Sequence, residues 1–153
     1  MNDQKTIVGS AEAVRFPELD KSRKVHARID SGARTSAIWG NARVTDEGTL
    51  EVSFFGDPAL THTFMEYSRQ AVATSTGHID KRYKVRILVA LKGRKIRANF
   101  TIADRSTQVY PVLIGRNVLR GKFLVDVKIG KKLLEDEKKR IDDLQSLLEE
   151  ETT

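Results

Sequence analysis

Cysteine is absent from this 153-residue chain. That excludes both a disulfide framework and a thiolate metal site. Aromatic residues are scarce, at 7% with a single tryptophan. Together with the lack of any helix-turn-helix or zinc-finger pattern, this argues against a nucleic-acid partner. No apolar run approaches the roughly 18 residues that would suggest a membrane span. Residues 1–10 lack the basic-then-apolar pattern of a secretory leader. The expectation is a cytoplasmic protein with neither nucleic acid nor a membrane as partner.

What is present suits one globular domain. Hydrophobic residues make up 39% of the chain, enough for a core rather than disorder. Charge is unevenly spread. Residues 131–153 hold five Lys or Arg and eight Asp or Glu, a net of −3. The whole chain is +6, so residues 1–130 carry +9. A basic body attracts polyanions or acidic peptides, although scattered basic charge also serves plain solubility.

Short β-like runs fill the first 130 residues. Residues 25, 27 and 29 alternate as apolar positions of a strand. Residues 42–45 and 49–55 read as a hairpin, and residues 83–91 and 95–103 as a second one across Lys92-Gly93-Arg94. Residues 109–114 and 123–129 are further apolar strands. Gly130 ends this body, and residues 131–151, rich in Lys, Glu, Asp and Leu without Gly or Pro, predict a helix. Its Leu134, Ile141 and Leu148 recur every seven residues, with Leu144 between. That is barely two heptads, compatible with docking on the same domain, with dimerisation or with a solvated tail. The division expected is a β domain over 1–130 and a charged amphipathic helix over 131–153.

Two segments carry chemistry. Residues 28–38 read Arg-Ile-Asp-Ser-Gly-Ala-Arg-Thr-Ser-Ala-Ile. An acid at the end of an apolar strand, followed by a hydroxyl residue and glycine, lifts a carboxylate into a tight turn. Such a mounting suits an aspartate that activates water, although Asp-Ser-Gly is also ordinary turn vocabulary. Residues 109–120, Val-Tyr-Pro-Val-Leu-Ile-Gly-Arg-Asn-Val-Leu-Arg, run from a strand through Gly-Arg-Asn into what reads as a short helix.

In this order the two segments resemble the retropepsin-like aspartic proteases. The run from Asp30 to Ala37 resembles, more narrowly, a bacterial branch formerly labelled ATP-dependent zinc proteases. Matches continue through Arg69, Val72, Ser75, Gly77-His78, Lys81-Arg82-Tyr83, Asp104-Arg105, Leu113 to Arg116 and Phe123 to Asp126. Ala73 and the long C-terminal helix depart from the family pattern. The old label does not fit: no Gly-x-x-x-x-Gly-Lys-Ser/Thr loop is present, and His26, His62 and His78 lack His-Glu-x-x-His spacing. No cofactor is expected.

The resemblance implies a mainly β fold, a small closed barrel with one short helix after Gly-Arg-Asn. It implies two aspartates sharing one proton across a water, because like charges that close cannot both ionise. The chain offers one such turn, since Asp46 and Asp57 lie in hydrophilic turns. A homodimer with Asp30 from each copy is therefore expected. Ser31 would hydrogen-bond around the pair, and Gly32 would let the backbone approach. Residues 73–83 are the candidate flap. Arg34, Thr35, Ser36, Arg69, Lys81, Arg82 and Arg116 are the candidate substrate-binding residues. With Arg105 the basic residues suggest a cationic cleft, although Arg105 also suits an ion pair with Asp104 and Arg116 suits packing under the turn. Arginine suits carboxylate because its planar fork binds both oxygens. The family includes a hydrolase of poly-α-glutamate tails on a small-subunit ribosomal protein, so an acidic tail is the expected partner. A broader endopeptidase and a non-catalytic acidic-tail binder are the alternatives.

Overall fold

The computed structural model describes residues 4–129 and 131–151, excepting the side chains of residues 131–137. Eleven strands and two α-helices follow one another: β1 (Thr6–Val8), β2 (Ala11–Phe16), β3 (Asp20–Ile29), β4 (Ser36–Val44), β5 (Leu50–Phe54), β6 (Thr61–Phe64), β7 (Ser68–Ala73), β8 (Ile79–Leu91), β9 (Arg94–Ala103), β10 (Val112–Ile114), α1 (Arg116–Leu119), β11 (Phe123–Val125) and α2 (Lys131–Glu151). The fold is mainly β, with one short helix and one C-terminal helix.

Nine strands form the main sheet, in the order β10-β3-β2-β8-β9-β4-β5-β6 with β7 on β8. β10 lies parallel to β3 on one side and antiparallel to β4 on the other. A small closed barrel was the expectation, and the sheet departs from it. Strands β5 and β6 run on beyond β4, and β7 leaves on β8, so free edges remain. The β2–β8 register is the pair Arg15↔Ala90, and β2 bulges between Val14 and Phe16 in its pairing with β3. β1 and β11 form a separate parallel pair.

The core follows from strand alternation. Val85, Ile87, Val89 and Leu91 point inward from β8, and Ile96, Ala98 and Phe100 from β9. Phe54, Phe100 and Ile38 are fully buried, and Phe16 meets Phe100 edge-on at 5.5 Å between ring centroids. The β8–β9 hairpin turns on Lys92 and Gly93, with φ of 49° and 78°. Two successive left-handed residues match the twist of the flanking strands. Strand β8 is 13 residues long; its second half pairs with β9, and its first half leaves the body to pair with β7.

Helix α2 does not bury its apolar stripe along its described length: Ile141 is 49% and Leu148 57% exposed. Leu134 lies outside the described side chains. One tether is Arg140 Nη2, which donates to the Ser106 carbonyl at 3.0 Å.

Candidate active site

The Asp30 turn is built at the end of β3. Ile29 pairs with Ile114, and the Asp30 N–H donates to the Ile114 carbonyl at 2.8 Å. The chain then reverses, with the Ala33 N–H on the Asp30 carbonyl at 3.2 Å. The Gly32 N–H donates to Asp30 Oδ1 at 3.0 Å, which orients the half-exposed carboxylate. A Cβ on Gly32 would stand 3.3 Å from that oxygen.

Gly115-Arg116-Asn117 locks this turn from the other side. The Arg116 N–H donates to the Ala33 carbonyl at 2.8 Å and the Asn117 N–H to the Arg34 carbonyl at 3.2 Å. Gly115 is required by closeness: an added Cβ would run into the Thr35 backbone oxygen. Ser36 Oγ accepts the Gly115 N–H at 2.9 Å and donates to Asn117 Oδ1 at 2.7 Å. Asn117 Nδ2 donates to the Asn99 carbonyl at 2.9 Å. The turn, β4, β9 and α1 are thus joined through one serine and one asparagine.

A cleft of about 600 Å³ opens beside Asp30. Residues 72–75 and Arg82 of the β7–β8 hairpin form one wall, and Ala103, Asp104, Arg105 and Gln108 another. The hairpin tip closes with the Thr74 N–H on the His78 carbonyl at 2.8 Å, with Gly77 at φ 86°. Arg105 is half-buried, and its Nε donates to the Tyr110 carbonyl at 2.9 Å. Burial, then the nearby Arg82 and Arg28, push its guanidinium pKa below the ordinary range. Positive charge is therefore held in the cleft at a cost that an anion would relieve. Asp104, the other carboxylate on the wall, is held below its ordinary value by the Ser106 backbone N–H and hydroxyl. That favours its ionised form, the opposite of what a proton-sharing partner needs.

The expected binding residues do not all reach one place. Register explains the division on the hairpin. Gln70 lies opposite Arg82 and Val72 opposite Asp80, on the face from which Val72 and Arg82 line the cleft; Arg69 lies opposite Tyr83 and Ala71 opposite Lys81, on the other face. Arg69 stacks over the Tyr83 ring at 5.3 Å and, with Lys81, borders a separate hollow. Arg69 and Lys81 therefore do not line the Asp30 cleft of one chain. Nor does Ser36: it is fully buried, with its hydroxyl satisfied inside the protein. Thr35 is half-buried beneath the turn, and its carbonyl faces Gly115. Arg34 and Arg116 line a basin on the far side of the turn. Sequence reasoning missed the tie made by Asn117. Of the two readings open for Arg105, cleft cation or partner of Asp104, the structure has it on the cleft wall and bonded to Tyr110. Asn117 was within reach as the third residue of Gly-Arg-Asn. Among the described residues no three His, Asp or Glu side chains converge as a metal site.

With the geometry in place, comparison with known proteins becomes specific. The model of the RimB-like family, described as retropepsin-like aspartic endopeptidase RimB, matches residues 7–137. A probable alpha-L-glutamate ligase of Shewanella halifaxensis is 36% identical over 135 residues, covering 82% of this chain and 29% of the relative. A second, from Shewanella pealeana, is 35% identical over the same shares. The chain thus spans under a third of the length of these relatives. In fold, the chain is similar to a crystal structure from Legionella pneumophila of a protein of unknown function, with a TM-score of 0.62 at 20% identity, covering 82% of this chain and 96% of that one. The match over residues 7–137, which takes in both the Asp30 turn and the Gly115-Arg116-Asn117 lock, means that the chain belongs to the RimB-like family of retropepsin-like proteins.

Proposed function

We propose that this protein is an aspartic peptidase that hydrolyses α-linked glutamate tails, such as those on a ribosomal protein, and that works as a homodimer in the cytoplasm. The observation that carries the reading is an Asp-Ser-Gly carboxylate, oriented by the Gly32 N–H, at the edge of a cleft holding Arg82 and Arg105. Asp30 of one copy takes a proton from water while Asp30 of the other, protonated, polarises the scissile carbonyl. The water oxygen bonds to the carbonyl carbon, the C–N bond breaks, and the nitrogen leaves with the second proton. Arg82 and Arg105 bind side-chain carboxylates. The name of the Shewanella relatives supports the glutamate theme, since a ligase that builds α-glutamyl bonds and a peptidase that cuts them share one polymer.

That same name favours a second reading: a non-catalytic module that holds an acidic chain. Incubating the full chain with synthetic octa-α-glutamate and with a neutral octapeptide, then weighing the products, separates the two. The peptidase reading expects glutamate fragments from the unaltered protein, none from Asp30→Asn, and an intact neutral peptide. Products that persist in Asp30→Asn would overturn it. Equal cleavage of the neutral peptide would remove the glutamate specificity. Binding without any products would favour the module.

A further inference from the structure

Beyond the cleft, the Asp30 turn has a second basic neighbour. A basin of about 340 Å³ is lined by Arg34, Arg116, Asn117, Arg120 and Lys122. Four of its five lining residues are cations, and none is acidic. Among the described residues none of these four has a carboxylate within ion-pair distance. Arg116 and Arg120 stand one helical turn apart at the two ends of α1, where like charges repel. Asn117 cannot relieve them, because its side chain is committed to Ser36 and Asn99. Among the described residues, positive charge is gathered here without a counter-charge.

The basin adjoins a hollow that reaches the residue after Asp30. This shallow hollow of about 240 Å³, lined by Ser31, Phe123 and Val125, shares Arg116 and Arg120 with the basin. Asp30 borders the arginine cleft, Ser31 the middle hollow and Arg34 the basin. The catalytic turn therefore lies between two separate cationic regions. The apolar wall of the middle hollow suits the methylene stems of long acidic side chains.

We infer that the Arg34–Arg116–Arg120–Lys122 basin is a second carboxylate-binding site, which holds side chains of an acidic peptide on the opposite side of the scissile bond from Arg82 and Arg105. The inference rests on the proposed peptidase reading for its orientation, and on the basin alone for its ligand. In an extended chain, alternate side chains fall on one face about 6.6–6.8 Å apart. A peptide crossing the turn then offers carboxylates to both regions. Cleavage falls inside a run of glutamates, and short products that fill only one region are released.

Titration of octa-α-glutamate and di-α-glutamate into the full chain tests this, with the double variant Arg120→Gln/Lys122→Gln beside the unaltered protein. Arg120 is exposed and Lys122 half-buried, and circular dichroism verifies the fold. The octamer Kd should rise about five- to tenfold in the double variant, the loss of two surface charge pairs. Its dependence on salt should flatten, and diglutamate should lose its affinity difference from the octamer. Arg120→Lys/Lys122→Arg should keep Kd within about twofold, since it preserves the charges. An octamer Kd unchanged in the glutamine variant overturns the basin. So does a variant that alters only the monomer–dimer equilibrium, which would make the basin an interface between copies. Hydrolysis by the unaltered protein is read separately: weakened binding without any products keeps the basin and rejects the peptidase, whereas products with unchanged Kd reject the basin alone.

Discussion

Ser36 Oγ and Asn117 Oδ1 lie 2.7 Å apart, joining two residues 81 positions distant in the chain. The same Oγ accepts the Gly115 N–H, and Ser36 is fully buried. Ser36→Ala leaves the buried Gly115 N–H without a partner and takes one from the Asn117 amide oxygen. The loss expected is about 1–3 kcal/mol, the usual desolvation penalty for an unsatisfied buried group. Urea denaturation measures it, and a midpoint equal to that of the unaltered protein would refute the lock. Activity should fall as well, because the Asp30 turn hangs on the strand end that Ser36 ties down.

Gly115→Ala tests the same junction by shape rather than polarity. The new methyl would meet the Thr35 carbonyl, with the Ala33 carbonyl 2.9 Å away. Both obstacles are backbone, so no side chain can swing aside. Overpacking of this kind costs about 1–3 kcal/mol or more. Thermal unfolding should show a lowered Tm, and the loss should be less than additive with Ser36→Ala because both act on one contact.

These two residues also show what a sequence conveys. The Asp30 turn, the alternation of β3 and the Lys92-Gly93 hairpin are local signals, and they were legible. Ser36, a candidate for substrate binding from the motif alone, is fully buried. Its burial depends on β4 lying against β9 and β10, a long-range pairing that a single sequence does not display. The direction of Arg69 and Lys81 was likewise hidden. One residue of register on the β7–β8 hairpin moves either to the other face. Adjacency also left Arg105 open to pairing with Asp104, yet Ser106 engages that carboxylate and Tyr110 engages the arginine.

Acid should weaken the fold through three identifiable carboxylates. Arg97, chiefly by hydrogen bonding, holds Glu18 below its ordinary value, the Ser22 N–H does the same for Asp20, and the Ser106 N–H for Asp104. A depressed folded-state value means that the native state favours the ionised form. The stabilisation is therefore fully present above the unfolded values, about pH 4.5 for the glutamate and 3.8 for the aspartates, and it is lost as pH falls through the lower folded values. Urea midpoints taken from pH 6 downward should decline in the unaltered protein. The decline should be shallower in Glu18→Gln/Asp20→Asn/Asp104→Asn, and equal slopes would refute the assignment.

The proposed peptidase mechanism requires two aspartates, and the Asp-Ser-Gly turn provides one per chain. Asp104, on the same cleft wall, is held toward ionisation rather than toward sharing a proton. Asp30→Asn preserves the oxygen that accepts the Gly32 N–H, so the turn should survive and only the carboxylate chemistry be lost. Mixing equal amounts of unaltered protein and Asp30→Asn then tests the two-chain site directly. After subunit exchange, half of the unaltered chains sit opposite an inactive partner. If both carboxylates are needed, total activity falls to about half of its value before exchange, by the statistics of random pairing in a two-fold dimer. Exchange is verified independently by native mass measurement of differently tagged copies. Activity that stays constant while mixed dimers accumulate would mean that one Asp30 suffices, and the shared-proton mechanism would have to be abandoned.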